Sequence, residues 1–285
     1  MSNSSPSRDR LIPLLDSVVA RYGGIEHLDS DPLIKVVPYQ APLDREIAAF
    51  IAAVLSFGNV KAILGGIDQA LGPLGPRPSE RLASWSDRRA MEAARGFRYR
   101  WIHDQDLGGL YVSLGSALRE EGGLEPLFER GVGERDEDVR GGAMTLTMGL
   151  RSRLPDQVQT RRGARFLLAD PSGAGASKRL HMFLRWMIRQ EAPDLGLWRA
   201  ARPSQLLMPL DTHVARIARY IGLTDREQAD KRTVLQVTRA LRAIDPEDPT
   251  RFDFALARLG ILGQCPHRRD PVRCAPCDLV SACTL

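Results

Sequence analysis

The chain has 285 residues, enough for one large domain or two lobes around a substantial core. Its 43% hydrophobic and 26% charged content is ordinary for a soluble globular protein. The polar start, Met1 to Arg10, lacks a signal-peptide core, and the longest apolar run, Ile47 to Leu55, is too short to span a bilayer, so a cytoplasmic protein without membrane contact is expected.

The net charge of +5 is unevenly spread: from Pro171 onward 18 Lys and Arg face 12 Asp and Glu, and the first 170 residues are close to neutral. A basic half suits a polyanion, most simply nucleic acid, although arginine-rich helices also serve as plain solvated surface.

Helical periodicity dominates the chain. A first helix is expected over 8–22, closed by Gly23-Gly24, and helices over 43–57 and 60–71 stop before the run Gly72 to Pro78. Leu107, Leu110, Tyr111, Leu114 and Leu118 repeat at three and four and carry a helix over 104–121, ended by Gly122-Gly123. A helix over 136–152 follows. The polar stretch Asp156 to Arg165 reads as a surface loop, and Pro171 to Gly175 as a turn before a helix over 177–190. Beyond Pro203, helices are expected over 212–221, 230–244 and 249–262. The second of these runs through Val234, Val237, Thr238 and Leu241, the third through Phe252, Ala255, Leu256 and Leu259. No run alternates at period two, so the expected fold is all-α, with about ten helices or more and no linker between independent domains.

All four cysteines fall at one end, as Cys265, Cys274, Cys277 and Cys283, spaced C-x8-C-x2-C-x5-C. In a reducing compartment such a cluster favours metal ligation over disulfides. Only Cys274 and Cys277 form a knuckle, and one knuckle with longer arms is more typical of a 4Fe–4S cluster than of zinc, which remains the alternative. A redox pair at Cys274 and Cys277 is a third reading, but it leaves the outer two cysteines idle. Whatever the metal, a structural staple explains the cluster without any chemistry. The loop between the first two cysteines offers Arg268, Arg269 and Arg273 on an anchored turn, either to clamp a phosphodiester backbone or to sit in solvent.

Upstream, Pro209-Leu210-Asp211-Thr212-His213-Val214, two further helices and the cysteine tail together resemble the endonuclease III-like group of helix-hairpin-helix DNA glycosylases. The chain is more similar still to an uncharacterised bacterial and archaeal branch of that superfamily, through Asp44-Arg45-Glu46-Ile47-Ala48 and the segment Lys178 to Met187. The family's hairpin corresponds to Pro171-Ser172-Gly173-Ala174-Gly175-Ala176-Ser177-Lys178 with one inserted residue, and Glu191 to Ser204 looks like an added turn. After Ile51 to Ser56, Gly58 or Asn59 stands where the family has a wedge glutamine; Asn59 is the expected DNA contact. The resemblance implies a two-lobed fold. A middle helical-barrel lobe would cover 44–176, and residues 1–43 plus 177–285 would form a lobe ending in the four-cysteine loop. It also implies a monomer that binds duplex DNA largely through phosphates and excises a damaged or mispaired base flipped into a pocket between the lobes.

In that chemistry Asp211 stabilises the positive charge that develops on the sugar as the glycosidic bond breaks. Aspartate before an apolar helix is also an ordinary N-cap. Lys178 would attack C1′ as an amine and form a Schiff base, given a lowered pKa from Arg179 and an apolar wall including Met182; otherwise it is a phosphate-contacting or solvated lysine. Gly173 and Gly175 suit a tight hairpin whose N–H groups bind phosphate, or a surface loop with no partner. His213 reads as a cap or packing residue, and Phe183 and Trp186 as core. Two rivals stand beside the glycosylase. One is a non-catalytic DNA-binding or lesion-sensing protein on the same scaffold. The other is a zinc-stapled helical protein that contacts other proteins.

Overall fold

Polar caps and proline set many of the helix ends. The computed structural model describes residues 8–285; residues 1–7, most of the polar start and the opening of the second expected lobe, lie outside them. The first three helices are α1 (Arg8–Tyr22), α2 (Pro42–Val54) and α3 (Val60–Leu71). α2 carries Pro42 in its first turn, and α3 is capped by Asn59, whose Oδ1 accepts from Ala62 N at 2.9 Å. Next come α4 (Pro78–Ser84), α5 (Asp87–Ala93), a hairpin of β1 (Arg98–Tyr99) and β2 (Ile102–His103), and α6 (Asp104–Glu121). α7 (Glu125–Glu129), α8 (Arg140–Arg151), α9 (Asp156–Gln159) and α10 (Arg162–Leu167) lead to α11 (Lys178–Ile188). α12 (Thr212–Tyr220), α13 (Lys231–Ile244), α14 (Asp253–Ile261) and α15 (Pro271–Cys274) complete the chain. Helix accounts for 58% and strand for 2%, so the all-α expectation holds. No helix among the described residues is long and apolar enough to cross a membrane.

The expected surface loop Asp156 to Arg165 is instead helical, as α9 and α10. Its polarity misled because one of its charges, Arg161, pairs with a distant partner and Val158 supplies a buried contact. Asp106 on α6 is buried and accepts Arg161 Nε at 2.8 Å and Ala164 N at 3.2 Å. Val158 is fully buried against α6, where a Cβ at Gly109 would lie 2.5 Å from it. The helix expected over 43–57 ends at Val54, and Ser56 folds its hydroxyl back onto Ala52 O at 2.7 Å.

Two hydrophobic cores form. One gathers buried residues from Leu33 to Leu206; the other joins α1 to the chain from Leu207 to Ala282. The cores therefore part between Leu206 and Leu207, some thirty residues beyond the expected lobe boundary at 176. α11 is the reason: it packs on α2, with Phe50 and Phe183 edge-to-face at 5.0 Å between centroids. In the second core α14 lies against α1 and α12. A glycine is required there, because a Cβ at Gly260 would sit 2.5 Å from the Cβ of His213.

Ion pairs buried at the seam tie the cores together. Arg185 on α11 donates to Asp253 on α14, and Arg258 on α14 donates to Asp31 at 3.0 Å and to Ser30 Oγ at 2.8 Å. Both arginine side chains are 3% exposed, so these charges persist only because they are paired.

Candidate active site

An open cleft of about 590 Å³ runs along this seam, within the size range of small-ligand pockets. Ser177 sets one wall. Its backbone is left-handed, φ 47°, a strained state for a residue with a side chain, and it turns the chain so that α11 begins at Lys178. Lys178 is half-buried, with Nζ 3.3 Å from Met182 Sδ one turn along, and both residues line the cleft. Of the 40 Lys and Arg residues only Lys35, Lys61, Lys178 and Lys231 are lysines; Lys35 is spent on Asp68 at 2.7 Å.

The opposite wall is the start of α12. Asp211 caps this helix: Oδ1 accepts the N–H groups of His213 and Val214, both at 2.8 Å. Its Oδ2 accepts no hydrogen bond among the described residues, and the carboxylate lines the cleft. Capping and facing the cleft are thus compatible duties for the two oxygens. His213 packs on Gly260 and lines the cleft too, with its Nδ1 buried and unpartnered.

Arg179, expected as the cationic neighbour of the lysine, is also a clamp. It donates to Val54 O at the end of α2 and to Phe166 O in α10, and stacks 4.0 Å over the Phe166 ring. Burial pushes its guanidinium down to about 10, so it stays charged at neutral pH beside Lys178. Phe183 and Trp186 are buried in the first core.

Asn59 is exposed at the cleft rim, where it also caps α3. Neighbouring Gly58 has φ +113°, and a Cβ there would lie 2.8 Å from the Arg100 guanidinium, so glycine is required at this position.

The hairpin differs from expectation. Neither Gly173 nor Gly175 has left-handed backbone, and a Cβ at Gly175 would meet open space. The turn is organised by Asp170 instead, which draws in Ser172 N and Oγ at 2.8 and 2.7 Å. Gly173 N is turned onto Asp170 O at 3.3 Å. The two hydrogen bonds from Ser172, aided by Arg151 and Lys231, hold the Asp170 carboxyl below the usual range. The loop is docked on α13 through Lys231 N to Ala174 O at 2.9 Å.

Four charged groups in the cleft escaped the sequence reading: Asp31, Arg185, Asp253 and Arg258. The available signal was a lone charge inside an apolar stretch, as in Leu184-Arg185-Trp186 and Phe252-Asp253-Phe254. Burial pushes the Asp253 carboxyl up to about 7; Arg185 and Lys178 oppose the shift, while Asp211 and Asp194 reinforce it.

At the far end, Cys265, Cys274, Cys277 and Cys283 are free, half-buried, and line one small cavity of about 30 Å³. As they stand, no three His, Cys, Asp or Glu side chains among the described residues form a metal site. Burial raises the Cys265 and Cys277 thiols, and Arg216 pulls Cys265 back. Asp270 N donates to Cys274 Sγ at 3.4 Å. Arg268, Arg269 and Arg273 are all exposed, and Arg269 lines this cavity. Arg268 has no acidic partner among the described residues, and Arg273 only a loose one in Asp270 at 3.9 Å.

The cleft between the two helical cores thus carries an amine, three carboxyls and buried guanidinium groups on its walls. The chain belongs to a family described as a protein of unknown function (DUF2400), whose model matches residues 31–262. That span takes in Lys178, Asp211 and Asp253 and stops before the first cysteine. No curated protein matches the chain.

Proposed function

We propose that the protein is a DNA glycosylase with abasic-site lyase chemistry, acting on a damaged or mispaired base extruded from duplex DNA into the seam cleft. The observation that carries this reading is that Lys178 and Asp211 line the same cleft. The amine of Lys178 attacks C1′ as the base leaves, and Asp211 Oδ2 faces the positive charge that builds on the sugar. The N–H groups opening α11, Asn59 at the rim, and exposed Arg268, Arg269 and Arg273 supply phosphate contacts. The protein acts in this reading as a cytoplasmic monomer.

The cysteine tail is read as the holder of a 4Fe–4S cluster, with zinc as the alternative. Four thiols around one cavity, an N–H donor to Cys274 Sγ and a guanidinium beside Cys265 suit a thiolate-bound group. Its role is to fix the loop that carries the three arginines.

The rival, a DNA-binding scaffold without chemistry, is favoured by the hairpin. Ser172 and Gly173 spend their N–H groups on Asp170, whose negative charge repels a phosphate. One experiment separates the two readings. Borohydride is added to the protein on a duplex carrying an abasic site. A covalent adduct that disappears in Lys178→Arg, which keeps the charge, supports the enzyme. Duplex binding with no adduct supports the scaffold.

A further inference from the structure

Besides Asp31, which accepts from Arg258 and from Leu33 N, the cleft holds a second carboxyl to which this mechanism gives no task. Asp253, the first residue of α14, is 5% exposed and lines the cleft with Lys178 and Asp211. Its Oδ2 accepts from Arg185, whereas Oδ1 is buried without any hydrogen-bond partner. A buried carboxylate oxygen with no donor is costly; the same oxygen bearing a proton is a donor still without a partner, on a residue that lines the cleft.

Arg185 does not rest on Asp253 alone. Asp194 takes its Nε at 3.2 Å and its Nη2 at 3.0 Å. Asp253 can therefore carry a proton on Oδ1 while the guanidinium stays compensated.

Resting on the glycosylase reading, we propose that Asp253 is a catalytic acid that protonates the group leaving C1′ of the extruded nucleotide. With a base in place, the C1′–N bond breaks and its electron pair stays on the base, which takes the Oδ1 proton. The Lys178 lone pair forms the new bond to C1′. On an abasic sugar, Lys178 Nζ first adds to the C1′ aldehyde. The Oδ1 proton then moves to the C1′ hydroxyl, which departs as water with the C–O pair and leaves the imine. In both cases Asp253 ends as a carboxylate and is reprotonated by water.

Two carboxyls in one cleft divide the labour because their surroundings differ. Asp211 is held by two N–H donors and partly solvated. Asp253 is buried, and its carboxyl sits near 7. The charges around it are Lys178 and Arg185 on α11, Asp194 in the loop beyond, and Asp211 at the start of α12. Arg258 on its own helix and Asp31 opposite line the rest of the cleft. On the α1 side Asp16 is engaged by Arg251.

The test is the rate of borohydride trapping on an abasic-site duplex as a function of pH, with binding to a tetrahydrofuran-abasic duplex measured alongside. The wild-type rate is expected to fall above about pH 7, where Asp253 loses its proton. Asp253→Asn is expected to trap at least about a hundredfold more slowly, to lose that alkaline limb, and to bind the tetrahydrofuran duplex as before. A wild-type rate that does not fall above neutrality overturns the role, and this holds even where the variant does not fold. An Asn variant that traps at the wild-type rate also overturns it, leaving the Lys178 chemistry intact. So does a variant that loses binding and trapping together, which would make Asp253 a seam-holding residue. Absence of any adduct from the wild type at every pH overturns both this role and the enzyme reading beneath it.

Discussion

Arg185 on α11 and Asp253 on α14 are hydrogen-bonded across the seam between the two cores. The contact belongs to a longer chain, in which Asp194 accepts from both Arg185 and Arg189, and Arg189 reaches Asp248 at 2.6 Å. Removing one member of such a buried set exposes the others to an uncompensated low-dielectric environment. Arg185→Met is expected to destabilise the protein by about 3–5 kcal/mol at pH 7 in urea denaturation. At pH 5 the loss is expected to be smaller, because Asp253 is then protonated and no longer an orphaned charge.

Two buried groups bend the stability curve in opposite senses. Asp253 is raised above its unfolded value, so the native state holds a proton there that the unfolded chain releases. Its contribution is full below about pH 4 and is lost as pH rises through about 7. His181, fully buried, is pushed down to about 4 by desolvation. Its contribution is present above about pH 6.5 and is lost as pH falls through about 4. Between those limits the two slopes oppose each other. Stability measured from pH 4.5 to 7 is therefore expected to rise more steeply with pH in Asp253→Asn than in wild type. It is expected to fall with pH in His181→Phe. Parallel profiles for all three proteins would contradict both assignments.

Asp211 allows its two duties to be separated by substitution. Only Oδ1 caps α12, so Asp211→Asn, which keeps a carbonyl oxygen for that duty, should change stability by less than about 0.5 kcal/mol. Asp211→Ala, which loses the cap, should cost about 1 kcal/mol. If the free Oδ2 serves catalysis, adduct formation falls alike in both variants. Activity that tracks stability instead would reduce Asp211 to a cap.

What was legible in the sequence followed from periodicity and from paired motifs. The helices through Leu107 to Leu118 and Val234 to Leu241 lie where apolar spacing put them, and Asp211 and Lys178 do meet one cleft. The segment Asp156 to Arg165 was missed because its anchors are few, chiefly buried Val158 and Arg161, and Arg161 pairs with Asp106, a partner some fifty residues earlier. Asp253 and Arg185 were missed for the same reason. Each looks like an interruption of an apolar face until α11 and α14 are brought together. The core boundary was illegible because α11 belongs by contact to α2, far behind it in the chain.

The loop between Cys265 and Cys274 gives the DNA reading an electrostatic test. Arg268, Arg269 and Arg273 are exposed and little used within the protein. If each contacts one phosphate, replacing all three by alanine lowers the slope of log K against log salt by about 2.7 on B-DNA. Stability should hardly change, since the three make no buried contact. An unaltered slope would remove this loop from the interface and leave the α11 start and the rim around Asn59 to carry the backbone contacts.

The cysteine tail is also wired to the cleft. Cys265 and Cys277 pack against the second core, Arg216 donates to Cys265 O at 2.9 Å, and Thr284 N returns to Tyr220 O at 2.8 Å. Arg216 and Tyr220 both lie on α12, the helix that Asp211 caps. A group bound by the four thiols would therefore stiffen the wall that carries Asp211 as well as the arginine loop. Cys277→Ser is expected to lose bound metal, read as iron or zinc by elemental analysis, and to lower the melting temperature. It should also weaken duplex binding, while the first core, which contains no cysteine, keeps its hydrogen-exchange protection. Uniform loss of protection across both cores would mean that the tail stabilises the whole fold rather than one wall of the cleft. A metal-free variant with unchanged melting and binding would reduce the cluster to an appendage.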